Sequence, residues 1–125
     1  MSHTRLAASD SRIDEAQGAN LTSGSTVDLS GVTGNFVTVT GTTTITAFGT
    51  AQAGARRILH FSGVLTLTHN ATSLILPGGA NITTAAGDVA EMVSLGSGNW
   101  RCTGYTLVGT APVGLAQIQA IAVAL

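Results

Sequence analysis

From residue 24 to residue 110, apolar side chains alternate with threonine in short runs, as in FVTVT at 36–40, TITAF at 44–48 and LTLT at 65–68. A period of two places successive side chains on opposite faces of a strand. The pattern predicts short strands at 26–29, 36–40, 43–48, 57–61, 64–69, 73–76, 89–95 and 100–107. Turn residues separate them at Ser62-Gly63, Pro77-Gly78-Gly79, Ala86-Gly87-Asp88 and Gly96-Ser97-Gly98-Asn99, each able to supply a positive φ or a fixed turn. The first and last of these are expected to close hairpins. So many short strands in so short a stretch predict an all-β fold, a compact antiparallel β-sandwich or jelly-roll-like body, with a short β-helix as the alternative.

The alternation stops at both ends. Residues 1–23 read as an N-terminal arm that mixes Arg5, Asp10, Arg12, Asp14 and Glu15 with few apolar groups. Asp10 is placed to cap a short helical turn ending at Gly18, over a weak stripe of Leu6, Ile13 and Ala16. No secretory core or membrane span opens the chain, which predicts a protein made inside the cell and left unprocessed. Residues 24–110 form the β body and 111–125 an apolar C-terminal segment. There Leu115, Ile118, Ile121, Ala122 and Leu125 fall at helical spacing and equally suit a strand. On a protein this small, such a segment calls for a partner chain to cover it. Within the body a fragment recurs at Ile45-Thr46, Leu67-Thr68 and Ile82-Thr83, but its spacings of 22 and 15 residues are unequal, and no solenoid repeat is assigned.

Composition narrows the partners. Charged residues make up 9% of the 125 residues and lysine is absent, against about 25% charged in an ordinary soluble domain. Five arginines form neither the basic footprint of a nucleic-acid binder nor a patch for an anionic membrane, so neither partner is expected. Nineteen threonines and sixteen glycines replace the missing charge, and threonine suits a half-exposed pleated surface. A strand edge without lysine lacks the usual defence against edge-to-edge pairing, and homo-oligomerisation would cover both the edges and the apolar segment. The single cysteine, Cys102, excludes an intrachain disulfide framework and a multi-cysteine zinc site. It reads as a small buried thiol. The N-x-T sequons at Asn20, Asn70 and Asn81 are read as coincidence in a threonine-rich chain.

Catalytic constellations are missing, and no cofactor is expected. Without lysine there is no P-loop, and no G-x-S-x-G elbow or G-x-G-x-x-G turn is present. His60 and His69 flank the expected Ser62-Gly63 hairpin, on one face but roughly 13 Å apart at about 3.3 Å per residue, too far to share a metal ion. Arg56 and Arg57 read as a solvated or interface pair, with Asp88 or Glu91 as salt-bridge partners across subunits. Trp100 is the one residue placed to stack on a sugar, and its competing role is as a core or interface anchor. The body's acids, Asp28, Asp88 and Glu91, give no carboxylate pair for glycoside hydrolysis. The protein is not expected to be an enzyme.

The segments TGTTTITAFGT (40–50), RRILHFSGVLTLTHNATSLILPGGANITTAAGD (56–88) and VSLGSGNWRC (93–102) resemble a β module of tailed-bacteriophage virion proteins, familiar from tail fibres. The resemblance covers roughly half of the chain and brings no catalytic residues with it. It implies a structural, trimeric, all-β virion component, made in the host bacterial cytoplasm. Tail fibres set such a module in a much longer chain, whereas here a short arm and an apolar segment flank it. That layout resembles a capsid decoration or head-fibre protein whose termini grip the major capsid protein or other virion proteins. The alternative is a tail-associated receptor-binding module that touches host glycan through exposed aromatics near Trp100 and Tyr105. The residues expected at the oligomer or capsid interface are Arg56, Arg57, Trp100, Leu115, Ile118, Ile121 and Leu125.

Overall fold

The computed structural model of the chain describes residues 16–109. Eight strands follow in order: β1 (Leu21–Thr22), β2 (Phe36–Thr40), β3 (Arg56–Phe61), β4 (Thr66–Leu67), β5 (Leu74–Ile75), β6 (Ile82–Thr83), β7 (Val89–Gly96) and β8 (Asn99–Thr106). One 3₁₀ turn, Pro77–Gly79, lies between β5 and β6. The described residues hold no α-helix, as the threonine alternation predicts.

Six strands form a mixed sheet in the order β1-β2-β3-β7-β8-β5, while β4 and β6 pair in a small second sheet. The pleat explains the burial of β2, where Val37 and Val39 are fully buried and Phe36, Thr38 and Thr40 are half-buried. β1, β2 and β3 run parallel, with Leu21 beside Val39 and Val39 beside Phe61. On the small-sheet side, single bridges continue the same parallel stacking, Thr26 with Ala47 and Ile45 with Leu67. The chain from Ala16 to Leu67 therefore winds as a short coil whose successive turns lie in register, the arrangement weighed as the alternative to an antiparallel sandwich. Antiparallel pairing enters later, in β3 with β7, β7 with β8, and β4 with β6.

The recurring apolar-threonine fragment marks this register. Ile45 bridges Leu67 in parallel and Leu67 pairs with Ile82 antiparallel. One spacing is a turn of the coil and the other a return strand, which is why the two are unequal. The fully buried Ile45 and Leu67 join Phe48, Phe61, Leu59, Met92 and Trp100 in a single core between the sheets.

The strands expected at 26–29 and 43–48 appear only as single bridges at Thr26, Ile45 and Ala47, and one expected hairpin does not form. Ser62-Gly63 closes no hairpin, because Ser62 N–H donates to Val39 O at 3.0 Å and carries the parallel ladder one residue further before the chain crosses to β4. The register that placed His60 and His69 on one hairpin goes with it, and His60 lies between Thr38 and Val89. The hairpin at Gly96-Ser97-Gly98-Asn99 forms as expected, with Ser97 at φ 58° and Gly98 at φ 81°, the positive pair that tight strand connections favour. Within 1–23, β1 pairs with β2 and Gln17 bridges Phe36. Gly18 and Gly34 allow this close contact, since a Cβ on Gly34 would lie 2.4 Å from Ala16 O. The segment 111–125 lies outside the described residues, as does most of the helical turn expected from Asp10 to Gln17.

Leu67 is the side chain through which the small sheet joins the coil. Leu67→Ala is expected to lower stability by about 2–5 kcal/mol, read as a reduced urea midpoint with an unchanged m-value.

Candidate interaction surface

The outward face of the large sheet follows from the registers. Phe36, Ile58 and Glu91 align across β2, β3 and β7, as do Thr38, His60 and Val89. Arg56, Val93 and Arg101 align across β3, β7 and β8. Phe36, Ile58, Val89 and Val93 are half-buried, and they occupy the parity of their strands that points away from Val37, Leu59, Ala90 and Met92. The Phe36 and His60 rings stack with centroids 6.2 Å apart, and Thr38 Oγ1 lies 3.2 Å from His60 Nδ1. The result is an apolar and threonine surface with few charges.

Arg56 and Glu91 are tied to each other within the chain, while Arg101 is exposed on the same face. Arg56 forms an ion pair with Glu91, and Glu91 Oε1 also accepts the Thr103 hydroxyl at 2.7 Å. The Thr103 hydrogen bond, followed by Arg56, holds the Glu91 carboxyl below the ordinary carboxylate range. The salt bridge expected across subunits is thus made inside one protomer. Arg57 turns the other way: its Nε donates to Leu29 O at 2.9 Å and a terminal nitrogen to Arg56 O at 2.9 Å. It braces one turn of the coil against the next.

Trp100 presents no surface. It is fully buried, meets Phe48 edge-on with centroids 6.3 Å apart, and donates Nε1–H to Gly49 O at 2.8 Å. Its expected place at an interface gives way to the core-anchor role, because the indole fills the space under β5 and the loop at Gly49. Leu115, Ile118, Ile121 and Leu125 lie outside the described residues.

Asp88, expected as an ion-pair partner, is an internal tie of the body. The residue is 1% exposed. Its Oδ2 accepts the Tyr105 hydroxyl at 2.6 Å and Ala85 N–H at 3.0 Å, while Oδ1 accepts Val108 N–H at 2.9 Å. Burial alone would raise its pKa, but the hydrogen bonds from Tyr105, Val108 and Ala85 outweigh it and the carboxyl sits below its ordinary value. Burial, with Asp88 alongside, pushes the Tyr105 phenol up, and its half-buried ring stacks on Phe61 with centroids 6.3 Å apart. The available signal was the Ala86-Gly87-Asp88 turn, where Gly87 at φ 97° lies under Val108. Cys102 is buried, its thiol directed to Gly104 O at 3.2 Å and pushed up in pKa by burial.

Among the described residues no three His, Cys, Asp or Glu side chains gather as metal ligands would. No helix among them is long and apolar enough to cross a membrane. No family model matches the chain, and no curated protein or solved structure is significantly similar to it.

Two outcomes test these ties. Arg57→Ala is expected to lower the urea midpoint more than Arg56→Ala, because an exposed ion pair is worth about 0–1 kcal/mol whereas Arg57 satisfies a carbonyl between turns. Tyr105→Phe is expected to cost about 1–3 kcal/mol at neutral pH, as a hydrogen bond to a charged group does. The Asp88 contribution has the sign of a depressed carboxylate: it is complete above the unfolded value of about 3.9 and disappears as pH falls through the lower folded value. Urea titrations at neutral and acid pH should therefore show the gap between Tyr105→Phe and the parent protein narrowing in acid.

Proposed function

We propose that this is a non-enzymatic structural protein of a tailed-bacteriophage virion, a capsid decoration or head-fibre protein. It assembles as an oligomer, a trimer on the resemblance, and clamps neighbouring capsid subunits. The observation that carries the proposal is the outward face of the large sheet. Phe36, Ile58, Val89 and Val93 lie among threonines there, and the one carboxylate of that face, Glu91, is already bound to Arg56 and Thr103. A broad surface of low charge suits extended contact with a copy or a shell.

The edges of the sheet support the same reading. β1 and β5 end the large sheet, both are short, and neither carries a charge, so pairing at an edge meets no electrostatic barrier. Many weak contacts repeated over a lattice would give avidity without chemistry. The virion segments named by the resemblance, 40–50, 56–88 and 93–102, form most of this body. A receptor-binding role would rest on exposed aromatics, and the buried Trp100 and tied Tyr105 offer it little support.

Electron microscopy of intact particles carrying a gold-labelled copy is expected to show many ordered copies on the shell. A few copies at the tail tip would overturn the decoration role. Because Gln17 and β1 belong to the sheet, the capsid-anchoring role of the arm is tested by deleting residues 1–15 only. The truncated protein should remain a folded oligomer and lose binding to shells, and undiminished binding would refute the anchor.

A further inference from the structure

From Ser62 to Gly87 the chain contains no Asp, Glu, Lys, Arg, Cys or Tyr, and His69 is its one ionisable side chain. That residue opens the excursion between β4 and β6. Its backbone N–H donates to Asn81 Oδ1 at 2.8 Å, and its ring Nδ1 accepts Leu76 N–H at 3.1 Å. A backbone amide can only donate, so Nδ1 must present its lone pair and the ring must be neutral with its proton on Nε2. The His69 ring thus ties the start of the excursion to Leu76 in its middle, while the Asn81 side chain ties the His69 backbone to its end.

We propose that His69 is an acid-sensitive latch on residues 68–81. With a neutral ring the latch is closed. The imidazolium donates from both nitrogens and accepts from neither, so a proton added at Nδ1 confronts the Leu76 N–H and the bond is lost. No compensating acid is placed to receive that proton. β4, β6 and the Pro77–Gly79 turn bring no charged side chain, and β8 brings Arg101, which pairs with Ile75, the residue before Leu76, a like charge to the imidazolium. The other titratable groups of β8, Cys102 and Tyr105, are pushed up by burial and do not ionise in acid.

Opening the latch has a defined consequence for the sheet. β5 lies on β8, with Leu74 beside Trp100, and Trp100 N–H donates to Ser73 O at 3.0 Å. Loosening Leu76 loosens the strand that covers β8, and a free β8 edge is a surface for pairing with another chain. Further ties of the excursion are the Asn70–Leu74 bridge, the Gly79 N–H donated to Leu76 O at 3.0 Å, and the Asn70 side chain, whose Oδ1 accepts Thr72 N–H and Ser73 N–H. None of them titrates.

The test uses the full chain and amide hydrogen exchange at Leu76, with emission of Trp100, the one tryptophan, as a second readout. Imidazoles titrate within about pH 5–8, so the comparison is made at the two ends of that range. The protection factor of Leu76, corrected for intrinsic exchange, is expected to fall about tenfold at the acid end, with a red shift of Trp100 emission. His69→Asn places Oδ1 near the position of Nδ1 and accepts at either pH, so it should abolish the change. His69→Ala should give low protection at both ends. A wild-type protection factor that does not change with pH would overturn the latch, and so would an undiminished change in His69→Asn. A His60→Gln control should keep the Leu76 response, and its loss there would assign the response to His60 and overturn the latch.

Discussion

Val39 lies between Leu21 and Phe61 in the parallel ladder, and Leu67 lies between Ile45 and Ile82 on the other side of the core. The fold rests on this stacking in register. Side chains alternate across a strand, so a slip of one residue would turn Val37 and Val39 outward and Thr38 inward. Threonine at the alternate positions makes that slip costly, because its hydroxyl would enter an apolar core without a partner. With strands as short as two residues, the register is held less by any one ladder than by the shared core of Phe48, Phe61, Leu59, Met92 and Trp100. Arg57 adds a polar tie between turns at Leu29 O.

The β7–β8 hairpin closes what the coil begins. β7 pairs with β3 on one side and β8 on the other, and Asp88, at the entrance to β7, gathers Ala85, Tyr105 and Val108 around one carboxylate. A buried carboxylate with three donors is stable only while all three remain in place. This tie therefore couples the turn before β7 to the end of β8. The same economy of charge recurs at Glu91, bound to Arg56 and Thr103. Asp88, Glu91 and Arg57 thus serve as internal fasteners, and beside Arg56 and Arg101 the outward face of the sheet is apolar and hydroxylic.

The longer strands were legible in the sequence. The span of β2 follows directly from FVTVT, and the Gly96–Asn99 turn from its glycines and its flanking strands. β1 and β6 were not legible, because two residues carry no period, and their pairing depends on neighbours far along the chain. Parallel pairing was equally hidden, since alternation reports which side chains share a face and not which strand lies beside them. The Ile45, Leu67 and Ile82 recurrence held the register, but unequal spacing disguised it where a coil turn is followed by a return strand. Of the expected interface residues, Arg56 lies on the surface, Arg57 braces the interior of the coil and Trp100 is buried. Phe36 and Ile58 were masked as a site because they sit in strands whose inward positions are apolar as well.

A body that pairs Arg56 with Glu91, buries Asp88 among its own donors and carries an apolar and hydroxylic broad face is suited to assembly, and we propose assembly on a virion as its purpose. The central element of that account is self-association of the chain. Native mass spectrometry of the full-length protein tests it most directly. The account predicts a dominant closed oligomer, about three chains on the resemblance to trimeric virion modules, that persists on dilution. A single species of 12.5 kDa at every concentration would contradict it.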